Sequence, residues 1–250
     1  MIVSPDNVVI SIKDVHKSFG KKQVHRGLSL DVIRGEIITL AGGSGEGKSV
    51  LLKEIIGLLR PDSGRILLDG QDVSRMRERE LVTLRRRVGM LFQGSALFDH
   101  LNVFDNIAYP LRQQGKADPE QIAHRVHETL RMVDLASVGP MMPEELSGGM
   151  KKRVGLARAI ATEADIVLYD EPTTGLDPNN ARRICDLIRK LQQEIRLTSV
   201  MVTHDMQSVR AITDRMAFLS QGKIVATGDW QEMKGSDNPV VRKFLEETPE

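Results

Sequence analysis

The 250-residue chain has a single cysteine, no long apolar run and almost no net charge. Cys185 alone cannot form an internal disulfide, and a cysteine-rich metal site is excluded with it, which fits a reducing compartment. Its neighbours Ile184, Leu187 and Ile188 are apolar at helical spacing, so Cys185 reads as a small core residue rather than a nucleophile. Lys plus Arg number 35 against 34 for Asp plus Glu. There is no global basic field, and nucleic acid is not an expected partner. The run Arg85-Arg86-Arg87 is local and reads as a solvated helix face. No apolar stretch approaches the roughly eighteen residues of a membrane span. Residues 1–6 lack the basic start and apolar centre of a signal peptide. The chain is therefore expected not to enter or cross a membrane unaided. Internal repeats and low-complexity segments are also missing, and the length suits one large domain or two lobes.

What is present is a glycine-rich run. Gly42, Gly43, Ser44, Gly45, Glu46, Gly47, Lys48 and Ser49 fill every fixed position of G-x-x-x-x-G-K-[ST], the phosphate-binding P-loop pattern. Residues 36–41 before it are short, apolar and β-branched. Leu51, Leu52, Ile55, Ile56 and Leu59 after it stand at helical spacing. Strand, loop and helix thus follow in the order the pattern requires. Glycines let successive N–H groups point at phosphate oxygens, and the helix adds the positive end of its dipole. Lys48 supplies a mobile charge for the β- and γ-phosphates, and the Ser49 hydroxyl is placed to ligate Mg²⁺.

Two half-buried strands, over Val8–Val15 and Leu28–Val32, are predicted before the P-loop strand, and Arg65–Asp69 forms another after it. Phe19, between the first two, is either a core aromatic or a platform on which a base stacks. Glu78–Arg87 looks helical, and Val88–Phe92 is a buried strand ending at Gln93. Residues 94–117 read as irregular. A helix follows, with Asp118 as N-cap, Pro119 at its first position and Gln121 closing a capping box. The α/β alternation resumes with a helix from Ser147, a strand over Ile166–Tyr169 ending in Asp170-Glu171, and a helix from Asp177-Pro178. A strand over Ser199–Val202, then Thr203-His204-Asp205, and a hairpin over Arg215–Thr227 come next. This alternation predicts an α/β fold with a mainly parallel sheet and ligands at the carboxyl ends of its strands. The expected organisation is a single domain: residues 8–94 and 147–235 form the catalytic core with an antiparallel β subdomain. Residues 95–146 form an inserted α-helical subdomain, and 236–250 a short helix and a loose acidic tail.

Asp170 ends a buried apolar strand, where a P-loop enzyme holds Mg²⁺, and Glu171 comes next. A second carboxylate there can polarise an attacking water, which suits hydrolysis better than nucleotide storage. Ser147-Gly148-Gly149 opens a helix whose first turns carry Lys151, Lys152 and Arg153. Ser147 is either a simple N-cap or part of a second anion cradle, and a second cradle needs a second molecule.

Together these residues resemble the ATP-binding cassette (ABC) family over residues 8–230. Residues 42–49 match Walker A, Gln93 the Q-loop, 146–150 the signature, 166–171 Walker B with its glutamate, 174–177 the D-loop and His204 the switch histidine, in family order and spacing. The resemblance implies ATP and Mg²⁺ as cofactors and two copies of the chain packed head to tail. Each ATP would lie between Walker A of one copy and the signature Ser147 and Gly149 of the other. It implies nucleotide contacts from Phe19, residues 42–50 including Val50, residues 147–149 including Gly148, and Asp177. Ser49, Gln93 and Asp170 are implied at the metal, with Glu171, Gln93 and His204 in catalysis. Taken alone, His204 at a strand end is more often structural.

Three departures narrow the choice. Met150 replaces the usual glutamine, Thr174-Gly175 the commoner Ser-Ala, and Val50 a common Thr. With Met150, the segment 94–112 resembles the ATPases of Mla-type, or MCE-type, phospholipid transporters. That resemblance implies membrane permease subunits docked on 94–112, an MCE lipid-binding protein in the complex, and a place on the cytoplasmic face of the bacterial inner membrane. In 94–112, Leu97, Phe98, Leu101, Phe104 and Tyr109 show too little periodicity for one amphipathic core helix; part would be core and part a docking groove. A small-solute importer ATPase and a soluble ABC ATPase of repair or translation share the motifs, although the latter usually carries long insertions or coiled coils. A kinase or switch GTPase would share only the P-loop.

Overall fold

Apolar alternation over Val8–Val15 and Leu28–Val32 extends, in the computed structural model, into two twelve-residue strands, β1 (Val8–Phe19) and β2 (Lys22–Ile33). The structure describes residues 7–115 and 118–246, with only the backbone for 207–209. The chain divides into two compact units: Met1–Leu84 with Thr198–Glu250, and Arg85–Leu197.

In the first unit, β1 and β2 pair antiparallel with Ile10 opposite Val32, Ile12 opposite Leu30 and Val15 opposite Leu28. This register turns one apolar set inward, and each buried leucine or isoleucine contributes about 1.5–3 kcal/mol. The fully buried β3 (Ile37–Ala41) leads through the glycine run into α1 (Lys48–Ile55). This helix ends four residues before Leu59, because Gly57 takes a left-handed φ of 67°. β4 (Ser63–Leu68) joins β1 antiparallel, and β5 (Gln71–Asp72) adds to β4. α2 (Glu78–Arg85) follows, with Leu81 and Leu84 buried.

The second unit opens with β6 (Val88–Leu91). The stretch expected to be irregular, 94–117, contains a regular helix, α3 (Val103–Gln114). Pro110 lies inside it, which disguises the pattern, yet Val103, Ile107, Ala108 and Leu111 are buried at helical spacing. The Asn102 side chain caps its start, accepting from the Asp105 N–H at 2.7 Å, and Gly115 closes it with a left-handed φ of 65°. The expectation of too little periodicity for a core helix is corrected accordingly. α4 (Pro119–Met132) has the expected capping box between Asp118 and Gln121. Next come α5 (Gly148–Ile160), β7 (Ile166–Asp170) and α6 (Pro178–Ile195); β6 and β7 run parallel, with Leu91 opposite Tyr169. Cys185 is buried on α6, beside Ile184, Leu187 and Ile188.

The chain returns to the first unit with β8 (Thr198–Val202), which pairs parallel with β3. After α7 (Met206–Ile212), β9 (Arg215–Ser220) pairs parallel with the other edge of β3, and β10 (Lys223–Gly228) turns back antiparallel. Gln221 and Gly222 make the expected two-residue turn, both at positive φ. α8 (Trp230–Lys234) and α9 (Pro239–Glu246) pack on this edge, with the Phe218 and Phe244 rings edge to face at 4.9 Å. The fold class expected from sequence is therefore observed: α/β, with parallel and antiparallel strands. Of the tail, residues 247–250 lie outside the described residues.

Candidate functional site

In each unit a pair of parallel strands carries sequence-marked residues at its carboxyl ends. In the first, β3 leads into residues 42–49, and beside it β8 leads into His204, with Leu40 opposite Val202. In the second, β6 leads to Gln93 and β7 to Asp170 and Glu171. Such strand ends are where open α/β sheets bind ligands.

The P-loop is shaped by close backbone approaches. A Cβ on Gly42 would lie 2.2 Å from the Leu219 carbonyl oxygen, and one on Gly47 would lie 2.3 Å from Val24 Cγ1; both residues also hold positive φ. Only glycine fits either place. The Lys48 ammonium donates to the carbonyls of Gly42 and Gly43, each at 2.8 Å, which draws it back over the loop. Ser44 and Gly45 are exposed, Ser49 and Val50 half-buried. Behind the loop lies a pair that sequence reading missed. His25 on β2 faces Glu54 on α1 with Nδ1 and Oε2 2.8 Å apart, both side chains fully buried, and its Nε2 lies 3.2 Å from the Gly47 carbonyl oxygen.

Phe19 ends β1 and is 48 % exposed, with the Lys17 ammonium 5.4 Å from its ring centre. It is therefore a surface aromatic, not a core one. His204 is exposed at its strand end.

In the second unit Asp170 is only 8 % exposed. Glu171 adopts a left-handed φ of 53°, a conformation that costs a non-glycine residue about 1–3 kcal/mol, and its carboxylate accepts from the Thr174 hydroxyl at 3.0 Å. Ser147 caps α5, its hydroxyl accepting from the Met150 N–H at 3.3 Å, so the plain capping role is present. Gly148 is exposed, while a Cβ on the buried Gly149 would sit 3.1 Å from Asn180 Oδ1. Asp177 caps α6. Its carboxyl is held below the usual carboxylate range first by the Asn180 backbone N–H, then by the Asn180 side-chain amide.

Helix α5 braces the loops around these residues. Lys152 donates to the carbonyls of Gln93 and, at 3.1 Å, Glu171. Arg158 donates to those of Ser95 and Ala96 at 2.8 and 2.7 Å, two residues held at positive φ. Burial pushes the Lys152 ammonium below the ordinary lysine range, and the charges of Glu171 and Asp170 oppose that shift. Asn106 on α3 ties down 98–102 by accepting from the Phe98 N–H at 2.8 Å and donating to the carbonyls of Phe98, Leu101 and Asn102. Sequence reading passed over Arg158 and Asn106 and placed Lys152 only among the basic residues in the first turns of this helix. The signal for Lys152 was its spacing, since it shares the buried face of α5 with Gly149, Leu156 and Ile160.

The family model for the ABC transporter matches residues 25–174. The chain is 42% identical over 241 residues to the probable ribonucleotide transport ATP-binding protein mkl of Mycobacterium leprae, covering 96% of this chain and 70% of that protein. It is 41% identical over 238 residues to the intermembrane phospholipid transport system ATP-binding protein MlaF of Escherichia coli, covering 95% and 88%. It is 44% identical over 228 residues to the methionine import ATP-binding protein MetN of Corynebacterium jeikeium, covering 90% and 62%. Among solved structures, the ATP-binding cassette MJ0796, dimeric and bound to ADP and Pi after hydrolysis, superposes with a TM-score of 0.80 at 31% identity, covering 88% of this chain and 98% of that one. The chain therefore belongs to the ABC transporter family and is one of its ATP-hydrolysing cassettes.

Proposed function

We propose that this cassette powers a bacterial transporter that moves phospholipid between the inner and outer membranes. The observation that carries the reading is the 41% identity with the phospholipid transport protein MlaF across 95% of the chain. Met150 in the signature and the segment 94–112 support it. The similarity to mkl and MetN favours a second reading, an importer of a ribonucleotide or an amino acid.

The working unit in this proposal is a head-to-tail dimer, and the dimeric state of the MJ0796 cassette after hydrolysis supports it. ATP would lie between residues 42–50 of one copy and Ser147, Gly148 and Gly149 of the other, with Asp177 alongside and Phe19 stacked on the base. Lys48 neutralises the β- and γ-phosphates, His204 contacts the γ-phosphate, and Glu171 takes up proton density from the attacking water. Among the described residues no cluster of three or more His, Cys, Asp or Glu could cage a metal ion. A hydroxyl and a carboxylate, Ser49 and Asp170, with the Gln93 amide, fit a hard cation that takes its other ligands from phosphate and water. Ser49, Gln93 and Asp170 would hold Mg²⁺ there, and the ion would supply charge neutralisation at the phosphates.

Residues 95–146 act as the helical subdomain and 94–112 as the seat for a short cytoplasmic helix of the permease. Tyr109 is 42 % exposed and lies tilted against Phe98 with ring centres 4.8 Å apart, and the Arg158 guanidinium lies 5.8 Å from the Phe98 ring centre. This offers an anchored aromatic surface of the kind that receives a helix. No helix of the described residues is long and apolar enough to cross a membrane. The permease would hold the chain at the cytoplasmic face of the inner membrane, with an MCE lipid-binding protein in the same complex. Purification from native membranes tests the reading: a permease with bound phospholipid is expected. Recovery with an amino-acid or nucleotide permease and no lipid would overturn the lipid assignment and leave the ATPase intact.

A further inference from the structure

Lys152 joins two loops that the motifs treat as separate. It is 5 % exposed, and its ammonium donates to the backbone carbonyl of Gln93, just past β6, and to that of Glu171, just past β7, the latter at 3.1 Å. Burying an ammonium is costly, and here two main-chain oxygens from different loops receive its N–H groups. Surface lysines behave otherwise, laying the stem on the protein and the charge in water.

We propose that Lys152 is a positioning residue for hydrolysis, which sets the place of Glu171 and makes it depend on the place of Gln93. The proposal rests on the reading that Glu171 polarises the attacking water and that Gln93 lies near the γ-phosphate. Glu171 holds a left-handed φ of 53°. The Lys152 hydrogen bond to its carbonyl anchors the main chain at the residue from which the side chain departs. Thr174 holds the other end, its hydroxyl donating to the carboxylate at 3.0 Å. The base is thereby held at two points, and one of them is shared with the Gln93 backbone. A shift of Gln93 pulls on the ammonium and, through it, on the Glu171 carbonyl. Arg158, on the same helix, holds the next carbonyls of that loop, Ser95 and Ala96, so α5 grips the loop on both sides of Gly94.

The test compares Lys152→Met, Lys152→Gln and Lys152→Arg in the full chain, measuring steady-state ATP hydrolysis, binding of a fluorescent ATP analogue and thermal unfolding. The stem of methionine fills the space without a donor, whereas Gln and Arg retain N–H donors. The expected result is a fall in kcat of about tenfold or more for Lys152→Met, a misplacement effect, with KM and analogue binding within about twofold of the native chain. Recovery of most of the lost kcat in at least one donor-retaining variant completes the expectation. Native kcat in Lys152→Met overturns the proposal. Equal losses in all three variants, or losses that follow the unfolding temperature alone, also overturn it, since donors would then not matter. Glu171→Gln is run beside them: if it still hydrolyses ATP, the assignment of the base has failed. If it is inactive while Lys152→Met turns over normally, only the positioning role has failed.

Discussion

His25 Nδ1 and Glu54 Oε2 lie 2.8 Å apart with neither side chain exposed to solvent, and the pair joins strand β2 to the helix that follows the P-loop. The other ring nitrogen, Nε2, meets the Gly47 carbonyl oxygen at 3.2 Å, so the last glycine of the loop is backed by a buried polar pair. Pairs of this kind are costly to half-remove. His25→Leu leaves a buried carboxylate without its partner and should cost about 3–5 kcal/mol, whereas replacing both residues by leucine should be far less harmful. Denaturant unfolding of the two single variants and the double variant measures this. A double variant no better than His25→Leu would show that the two residues do not act as a pair.

Glu171→Gln keeps the shape of the side chain and removes its basicity. Hydrolysis should fall by about two to four orders of magnitude with ATP binding retained. Lys48→Ala should instead lose nucleotide affinity, because the charge facing the phosphates is gone. Turnover assays beside equilibrium nucleotide binding separate the two; near-native turnover in Glu171→Gln would remove it from the role of base.

Ser147→Arg places a bulky cation at the exposed N-terminus of α5, where the proposed partner's γ-phosphate would sit. Hydrolysis should be lost while the variant still binds ATP through its own residues 42–49. Mixing it with Lys48→Ala chains should restore part of the activity, since a mixed dimer assembles one intact composite site. Normal turnover by Ser147→Arg as a monomer would refute the dimer.

Asp177 is held below the usual carboxylate range by the Asn180 and Asn179 N–H groups at the start of α6. Its folded pKa is depressed, so its stabilising effect is complete above the unfolded value of about 3.9 and is lost as pH falls through the folded value. Asp177→Ala should therefore lower the unfolding temperature at pH 7. The gap between variant and native chain should narrow steadily below about pH 4. A gap that stays constant down to strongly acidic pH would assign the effect to something other than the ionised cap.

The sequence by itself determined the family, the order of strands and helices around residues 42–49 and 166–171, and the capping box at Asp118. These are local patterns: glycines where φ is positive, β-branched runs that must be buried, a cap followed three residues later by Gln121. It misled at α3, where Pro110 masked a helix whose buried face is set by packing on α4 and α5. Tertiary structure alone decided that Phe19 faces solvent, that Gly47 must be glycine because Val24 and His25 crowd it, and that Lys152 points inward to the carbonyls of Gln93 and Glu171. The partners in those contacts lie 22 residues apart for His25 and Gly47 and 59 apart for Lys152 and Gln93. No local pattern encodes such pairings, because the burial that makes a charged side chain seek a partner exists only once distant strands and helices have packed.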